Sequence, residues 1–142
     1  MRGGVVLGAC LLAAPVSAQQ RKIVDGVVIN MGLVPAAEAL RADGHREAHS
    51  ENQPSGAQHI LVTLADSKTG ARIGNARIMI EVLDPKGHAE AKALITTRSA
   101  GVMDYSEMFS FGWSGKYRIR VIVTLKGAPK AIEAQFTHNH VV

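Results

Sequence analysis

The sequence predicts an all-β protein in which about seven strands form an antiparallel two-sheet sandwich. Apolar and basic side chains alternate along Gly115–Thr124, the period of two that is typical of a strand with one buried and one solvated face. Turn-forming residues separate this segment from other short apolar segments at regular spacing. The sequence has no long amphipathic helical pattern, so a mixed architecture of helices and strands is not expected.

The first predicted strand is residues 23–31, whose Asp25-Gly26 is either a tight turn that splits it into two short strands or a bulge. A long polar loop is predicted at about residues 32–57, with one or two helical turns at residues 35–41. A loop of this length is usually functional or disordered. Residues 91–97 have the weakest strand pattern and are typical of an edge strand. The other strands are predicted at residues 59–65, 76–83, 104–111, 115–124 and 131–137.

Residues 1–18 are predicted to be a secretory signal peptide, and residues 19–142 a single β-sandwich domain. Arg2 gives the leader a positive start, and the apolar run at residues 5–14 is too short to span a bilayer. Residues 16–18 are Val-Ser-Ala, which puts small residues at the positions that a signal peptidase reads. The sequence therefore predicts a protein secreted into the periplasm, cleaved before Gln19 and without a transmembrane helix.

The only cysteine, Cys10, lies in the predicted leader. Residues 7–10 resemble a lipobox, so a lipoprotein anchored through Cys10 is the less favoured alternative. Without this cysteine the exported domain has no disulfide, and a hydrophobic core of ordinary size must hold the fold. The formal net charge of the chain is +4, and the basic residues are scattered along the sequence. Aromatic residues are few, with three Phe, two Tyr and one Trp. This composition does not favour nucleic-acid binding.

Motifs of catalysis are missing from the sequence. The exported part has no cysteine nucleophile, and no Gly-x-Ser-x-Gly, His-Glu-x-x-His, phosphate-binding loop or Rossmann glycine pattern occurs. A hydrolytic triad would also need a base and an orienting acid beside its nucleophile. The sequence therefore predicts a binding or accessory protein rather than an enzyme.

The six histidines are the clearest chemical signal. His45 and His49 are four residues apart, as on one face of a helical turn, and His138 and His140 are two apart, as on one face of a strand. Either spacing can bring two imidazoles to one copper, zinc, nickel or iron ion. Single histidines such as His59 are more often surface residues, and His138 and His140 lie near a chain end, where disorder is common.

The methionines add a second ligand type, because a thioether combined with imidazole suits copper(I). Met79 lies between two isoleucines and is expected to be covered. For Met108 the sequence allows either a core or a surface position. Met103 and Asp104 stand at the start of a predicted strand, which makes them candidate ligands.

The Asp25-Gly26 strand, the polar loop before His59 and the run from Asp104 through Gly115–Thr124 resemble periplasmic immunoglobulin-like proteins of metal handling. One group of these accompanies bacterial high-affinity iron uptake and binds copper or iron, and another comprises the YtkA-like and FixH-like domains. The resemblance covers most of the exported chain in the order of its elements. It implies an immunoglobulin-like antiparallel β-sandwich that binds a transition metal.

The resemblance to the iron-uptake group also implies a ligand set. That group uses a methionine in the long loop, a histidine that starts the next strand and a histidine beside a tyrosine. His59 matches the second ligand, and Asp104 beside Tyr105 stands in the place of the third. The loop supplies His45 and His49 instead of a methionine, so two of the three ligands differ in kind.

The leading hypothesis is a secreted periplasmic protein that binds copper or iron transiently and serves an inner-membrane transporter or another envelope protein. Neither nucleic acid nor a membrane span is part of this hypothesis. The alternative is a protein-interaction module of the cell envelope that binds no metal and docks through the edge-like residues 91–97. The candidate metal ligands are His59 with Asp104 or Met103, and His45 or His49.

Overall fold

The computed structural model describes residues 19–35, 56–99 and 102–142, apart from the side chains of residues 97–99 and 102–103. In these ranges two antiparallel sheets are present, one of five strands ordered β1-β2-β3-β7-β6 and one of four ordered β5-β4-β8-β9. The strands are β1 (Gln19–Val24), β2 (Val27–Pro35), β3 (Ala57–Asp66), β4 (Arg77–Leu83), β5 (Ala89–Ala93), β6 (Ile95–Ser99), β7 (Val102–Ser110), β8 (Gly115–Thr124) and β9 (Ile132–His140). The predicted immunoglobulin-like antiparallel sandwich is confirmed.

Two predicted strands are each divided in two, which gives nine strands within the described ranges where about seven are predicted. Asp25 and Gly26 have φ angles of 48° and 78°, so they form the central pair of a type I′ hairpin turn between β1 and β2. Leu94 divides residues 91–97. Its amide donates to the Ile78 carbonyl of β4 at 2.8 Å, and the next residue, Ile95, pairs with Ser106 of β7. The chain therefore passes from one sheet to the other at Leu94.

Burial follows the strand alternation that the sequence predicts. The inward positions of β8 are Tyr117, Ile119, Val121 and Val123, and all four are at most 1% exposed. Both buried tyrosines have bonded hydroxyls, as burial of a phenol requires. The Tyr117 hydroxyl accepts from the Trp113 amide at 3.0 Å and donates to the Trp113 carbonyl at 2.9 Å. The largest fully buried side chains are Tyr105, Tyr117, Phe109, Phe111 and Phe136.

Three expectations about individual segments are wrong. The loop does not begin at Gly32, because residues 32–35 continue β2 opposite residues 58–61 of β3. Met79 is 42% exposed rather than covered, since its neighbours point inward and strand alternation turns it outward. The last strand continues to His140, so His138 and His140 are paired residues of β9. The predicted signal peptide and the predicted helical turns beyond Pro35 lie outside the described residues.

Gly115 shows why a glycine opens β8. Its φ angle is 136°, and a Cβ at this position would lie 2.9 Å from side-chain atoms of Pro85. A side chain here would therefore meet both a strained backbone and a steric overlap.

Polar side chains that point inward close the two open sides of the sandwich. On one side, Gln20 Nε2 of β1 donates to the Thr137 carbonyl of β9 at 2.5 Å, and Lys22 Nζ donates to the Gln135 carbonyl. On the other side, Lys92 of β5 donates to the Met108 carbonyl of β7 at 2.6 Å. Inward charges on edge strands hinder the addition of a foreign strand. No helix within the described ranges is long and apolar enough to cross a membrane.

Candidate metal sites

The two described ligand candidates lie on the outer face of the five-stranded sheet, which is the face turned away from the second sheet. His59 and Asp104 each precede a core residue, Ile60 and Tyr105, that is at most 1% exposed. Strand alternation therefore turns both candidates outward. The structure thus puts an imidazole and a carboxylate on one surface, as a shared site requires.

His59 lies directly opposite Met108 of β7 and Val34 of β2. Side chains in directly opposed cross-strand pairs have Cβ atoms about 4.5–5.5 Å apart. His59 and Met108 are both half-buried. We refer to these two residues as the His59–Met108 pair, which offers an imidazole and a thioether, the combination that suits copper(I).

The sequence alone does not identify Met108 as a partner of His59. Met108 is next to Phe109, whose side chain is in the core, so strand alternation does indicate that the Met108 side chain points outward. What the sequence does not contain is the pairing register of β3 with β7, because the two strands are far apart in the chain. The only sequence signal for this ligand was a methionine at an outward-facing position of a predicted strand.

Asp104 shares the face of His59 but is not its neighbour. It lies four residues along β7 from Met108, which corresponds to about 13 Å along the strand. Arg72 binds its carboxylate, with Nη1 3.2 Å from Oδ1. A cation bound at Asp104 would therefore share the carboxylate with this guanidinium.

A cavity of about 540 Å³ lies over the same face. Arg21, Asn30, Thr63 and Asp104 line it and form a row across neighbouring strands, and Leu61 lies between this row and His59. The row supplies hydrogen-bond donors of three kinds and one carboxylate. This surface can hold a small polar group beside the His59–Met108 pair.

The other predicted ligands have no described side chain. His45 and His49 fall outside the described residues, and for Met103 the structure describes only the backbone, which pairs with Arg98 of β6. Within the described ranges there is no group of three or more His, Cys, Asp or Glu side chains that could hold a metal ion. The five-residue ligand set stays a prediction.

A second pair of histidines lies at the end of β9. His138 Nε2 is 3.2 Å from His140 Nδ1, and both side chains are half-buried. The pKa of His138 is held below its ordinary value, first because burial disfavours the imidazolium form and second because His140 is close. The His138 imidazole therefore stays neutral to lower pH than a free histidine, which leaves a ring nitrogen lone pair available.

The remaining described histidine, His88, has a structural role. Its Nδ1 is 3.1 Å from Asp84 Oδ2, and its side chain is 75% exposed. Asp84 Oδ1 also accepts from the backbone amide of His88 at 2.8 Å. This residue belongs to the turn between β4 and β5, in agreement with the expectation of a solvated turn histidine.

The fold is that of immunoglobulin-like sandwich proteins of bacteria, several of which have been solved with copper. FetP of uropathogenic Escherichia coli, from protein recombinantly expressed in the periplasm, superposes with a TM-score of 0.66 at 10% identity, covering 87% of this chain and 94% of FetP. Copper-reconstituted P19 of Campylobacter jejuni gives 0.64 at 10% identity, covering 88% and 95%. A DUF4426 family protein of Pseudomonas aeruginosa gives 0.66 at 14% identity, covering 86% and 94%.

The resemblance predicted from the sequence is thereby confirmed at the level of the fold. Identities this low show a shared fold and do not transfer ligands residue by residue. No protein-family profile matches the sequence, and no curated protein sequence matches it significantly.

Proposed function

We propose that this protein is a periplasmic accessory protein that binds copper or iron transiently on the outer face of its five-stranded sheet. It would pass the ion to an inner-membrane transporter or another envelope protein, and it would not catalyse a reaction. In this proposal His59 is the central ligand. The further ligands are Asp104 or Met103 and His45 or His49, as the sequence predicts, and Met108, which the strand register adds.

The observation that carries the proposal is the His59–Met108 pair. A half-buried imidazole directly opposite a half-buried thioether is an unusual use of an outward sheet position, because such positions are ordinarily solvated and polar. A soft and a borderline ligand side by side suit copper in either oxidation state. The copper-bound structures of FetP and P19 support the same assignment for this fold.

The binding experiment is a titration of the metal-free protein with copper(I), copper(II) and zinc. We expect sub-micromolar copper(I) binding that His59→Ala abolishes, because the imidazole is the central ligand of the site that carries a thioether. Met108→Leu should weaken copper(I) more than zinc, since zinc prefers nitrogen and thiolate ligands to a thioether. The matched control is Met79→Leu, which removes a thioether from the outer face of the other sheet.

Copper(I) binding that survives both His59→Ala and the His45/His49 double alanine variant would refute the proposal. Loss of binding in Met79→Leu as well would indicate a general effect of methionine removal rather than a site. Asp104→Asn separates the two positions on this face, because it should alter the affinity only if the ion reaches the carboxylate beside Arg72.

The periplasmic location has its own test. Expression of the full chain in a Gram-negative host should yield an exported protein whose mass corresponds to cleavage before Gln19. Cys10→Ala should leave export and processing unchanged, because the thiol is removed with the leader. Membrane-bound protein that becomes free in Cys10→Ala would instead establish the lipoprotein alternative.

The second candidate function is a metal-free interaction module of the envelope. Ile95, the first residue of edge strand β6, is 61% exposed, so this edge presents a large aliphatic side chain to solvent. We expect Ile95→Lys to abolish capture of an envelope partner if this edge is the docking surface, because the charge would have to be desolvated. Unchanged capture would remove this candidate.

A further inference from the structure

The end of β9 carries an arrangement that the proposed function does not use. His138 and His140 continue the inward positions of this strand after Ile132, Ala134 and Phe136, which are all buried. They therefore face the space between the sheets at one end of the sandwich. Two imidazoles replace the aliphatic and aromatic side chains that fill the other inward positions.

Two aromatic rings, those of Phe111 and Tyr117, surround this pair and complete a cluster of four rings. Phe111 lies 4.5 Å from Tyr117, 5.8 Å from His138 and 5.5 Å from His140, measured between ring centroids. His140 is opposite Gly115 on β8, and its ring centroid lies 6.0 Å from that of Tyr117. Both imidazoles are thus held by packing on one side and reach solvent on the other.

The separation of the two facing nitrogens fits one metal ion. His138 Nε2 and His140 Nδ1 are 3.2 Å apart. Two nitrogens bound tetrahedrally to zinc at about 2.0–2.1 Å are about 3.3 Å apart. The same 3.2 Å is also the length of a hydrogen bond in which one ring donates its N–H to the other, so binding an ion requires the rings to turn until both lone pairs converge but not to move apart.

We propose that His138 and His140 form a second metal site, independent of the outer face, that binds a divalent zinc- or copper-like ion through two imidazole nitrogens. Water fills the remaining coordination positions on the solvent side. All-nitrogen ligation and the absence of a thioether from the pair favour zinc and copper(II) over copper(I). The site therefore differs in metal preference from the His59–Met108 pair.

Binding of an ion changes which ring nitrogen of the pair carries a proton. In the metal-free pair one imidazole donates its N–H to the unprotonated nitrogen of the other. When the ion binds, the donor ring carries its proton on its other nitrogen, so both facing nitrogens present lone pairs. The neutral pair releases no net proton. Protonation of either ring opposes binding, so affinity falls as the solution is acidified.

The test is a zinc titration of the full chain, exported and made metal-free, in a His59→Ala, His45→Ala, His49→Ala background. This background removes the histidines of the outer-face site, so failure of the first proposal does not affect the result. We expect saturable zinc binding. His140→Phe should weaken it by more than the roughly 10–100-fold that loss of a supporting partner costs, because a direct ligand is removed while a ring still packs on Phe111.

A control variant and a spectroscopic measurement test the site further. His88→Gln is the matched control, because it removes an imidazole paired with Asp84 and should leave the affinity unchanged. Copper(II) electron spin echo spectra should show two coordinated imidazoles in the background protein and one in His140→Phe. Zinc affinity that is equal in the background protein and in His140→Phe would overturn the proposal. If His140→Phe fails to fold, the absence of zinc-induced shifts in the ring resonances of His138 and His140 would overturn it equally.

Discussion

At Gly115 the requirement for glycine has two separable causes. The φ angle of 136° is one that L side chains rarely adopt, and the Pro85 ring fills the space that a Cβ would need. Gly87 has a φ angle of 90° but nothing within 4 Å of a Cβ, so it shares the first cause and lacks the second. The two glycines therefore separate backbone strain from steric overlap.

We expect Gly115→Ala to lower the free energy of unfolding by about 2–4 kcal/mol, because strain and overlap add. Gly87→Ala should cost about 1–2 kcal/mol, from the backbone alone. Urea denaturation of both variants measures the difference. Equal losses would show that the Pro85 ring moves aside and that overlap contributes nothing.

Asp66 shapes the turn after β3 and predicts a dependence of stability on pH. Its Oδ1 accepts the backbone amides of Thr69 and Lys68, each at 2.9 Å. These bonds, that of Thr69 first, hold the pKa of the Asp66 carboxyl below its ordinary value of 3.8. The carboxylate therefore stabilises the fold fully above pH 3.8, and this contribution is lost as the pH falls below that value.

The corresponding experiment compares the melting temperatures of the protein and of Asp66→Asn across this pH range. Asparagine keeps an acceptor oxygen but does not titrate. The advantage of the unaltered protein should be greatest near neutral pH and should shrink once the pH falls below 3.8. A difference that stays constant with pH would show that Asp66 does not contribute through its charge.

Among the elements, β5 connects the two sheets through one side chain. Lys92 Nζ donates to the Met108 carbonyl of β7 at 2.6 Å and lies 3.0 Å from the Glu90 carboxylate. The side chain of Met108 lies on the outer face, whereas its backbone carbonyl accepts the hydrogen bond from Lys92 of the other sheet. The edge of the four-stranded sheet thus helps to position a residue of the His59–Met108 pair.

We expect Lys92→Met to lower the free energy of unfolding by about 1–2 kcal/mol, since a charged but partly exposed donor is lost. Amide hydrogen exchange should quicken along β7 near Met108, because its carbonyl loses a partner. Lys116→Met, on the exposed side of β8, is the matched control and should leave both quantities unchanged. Unaltered exchange in Lys92→Met would show that β7 is held without β5.

Across the whole molecule, the sequence predicts local periodicity well and long-range pairing poorly. The alternation in β8 predicts its buried residues, and Asp25-Gly26 predicts a turn, because both depend on neighbours in the chain. The change of sheet at Leu94 has no such local signal, since a single residue inside a weak strand makes the crossing. The His59–Met108 pair requires the β3–β7 register, whereas the contact of His138 with His140 follows from their spacing within one strand.

One consequence of the ring cluster is optical. The Tyr117 hydroxyl binds both the amide and the carbonyl of Trp113, which ties the only tryptophan of the chain to the ring that contacts His140. Intrinsic fluorescence therefore reports from the end of the sandwich where β9 finishes. Paramagnetic copper(II) on His138 and His140 would quench this emission, and zinc would not. A fluorimeter can thus distinguish occupancy of this end from occupancy of the outer face without any added label.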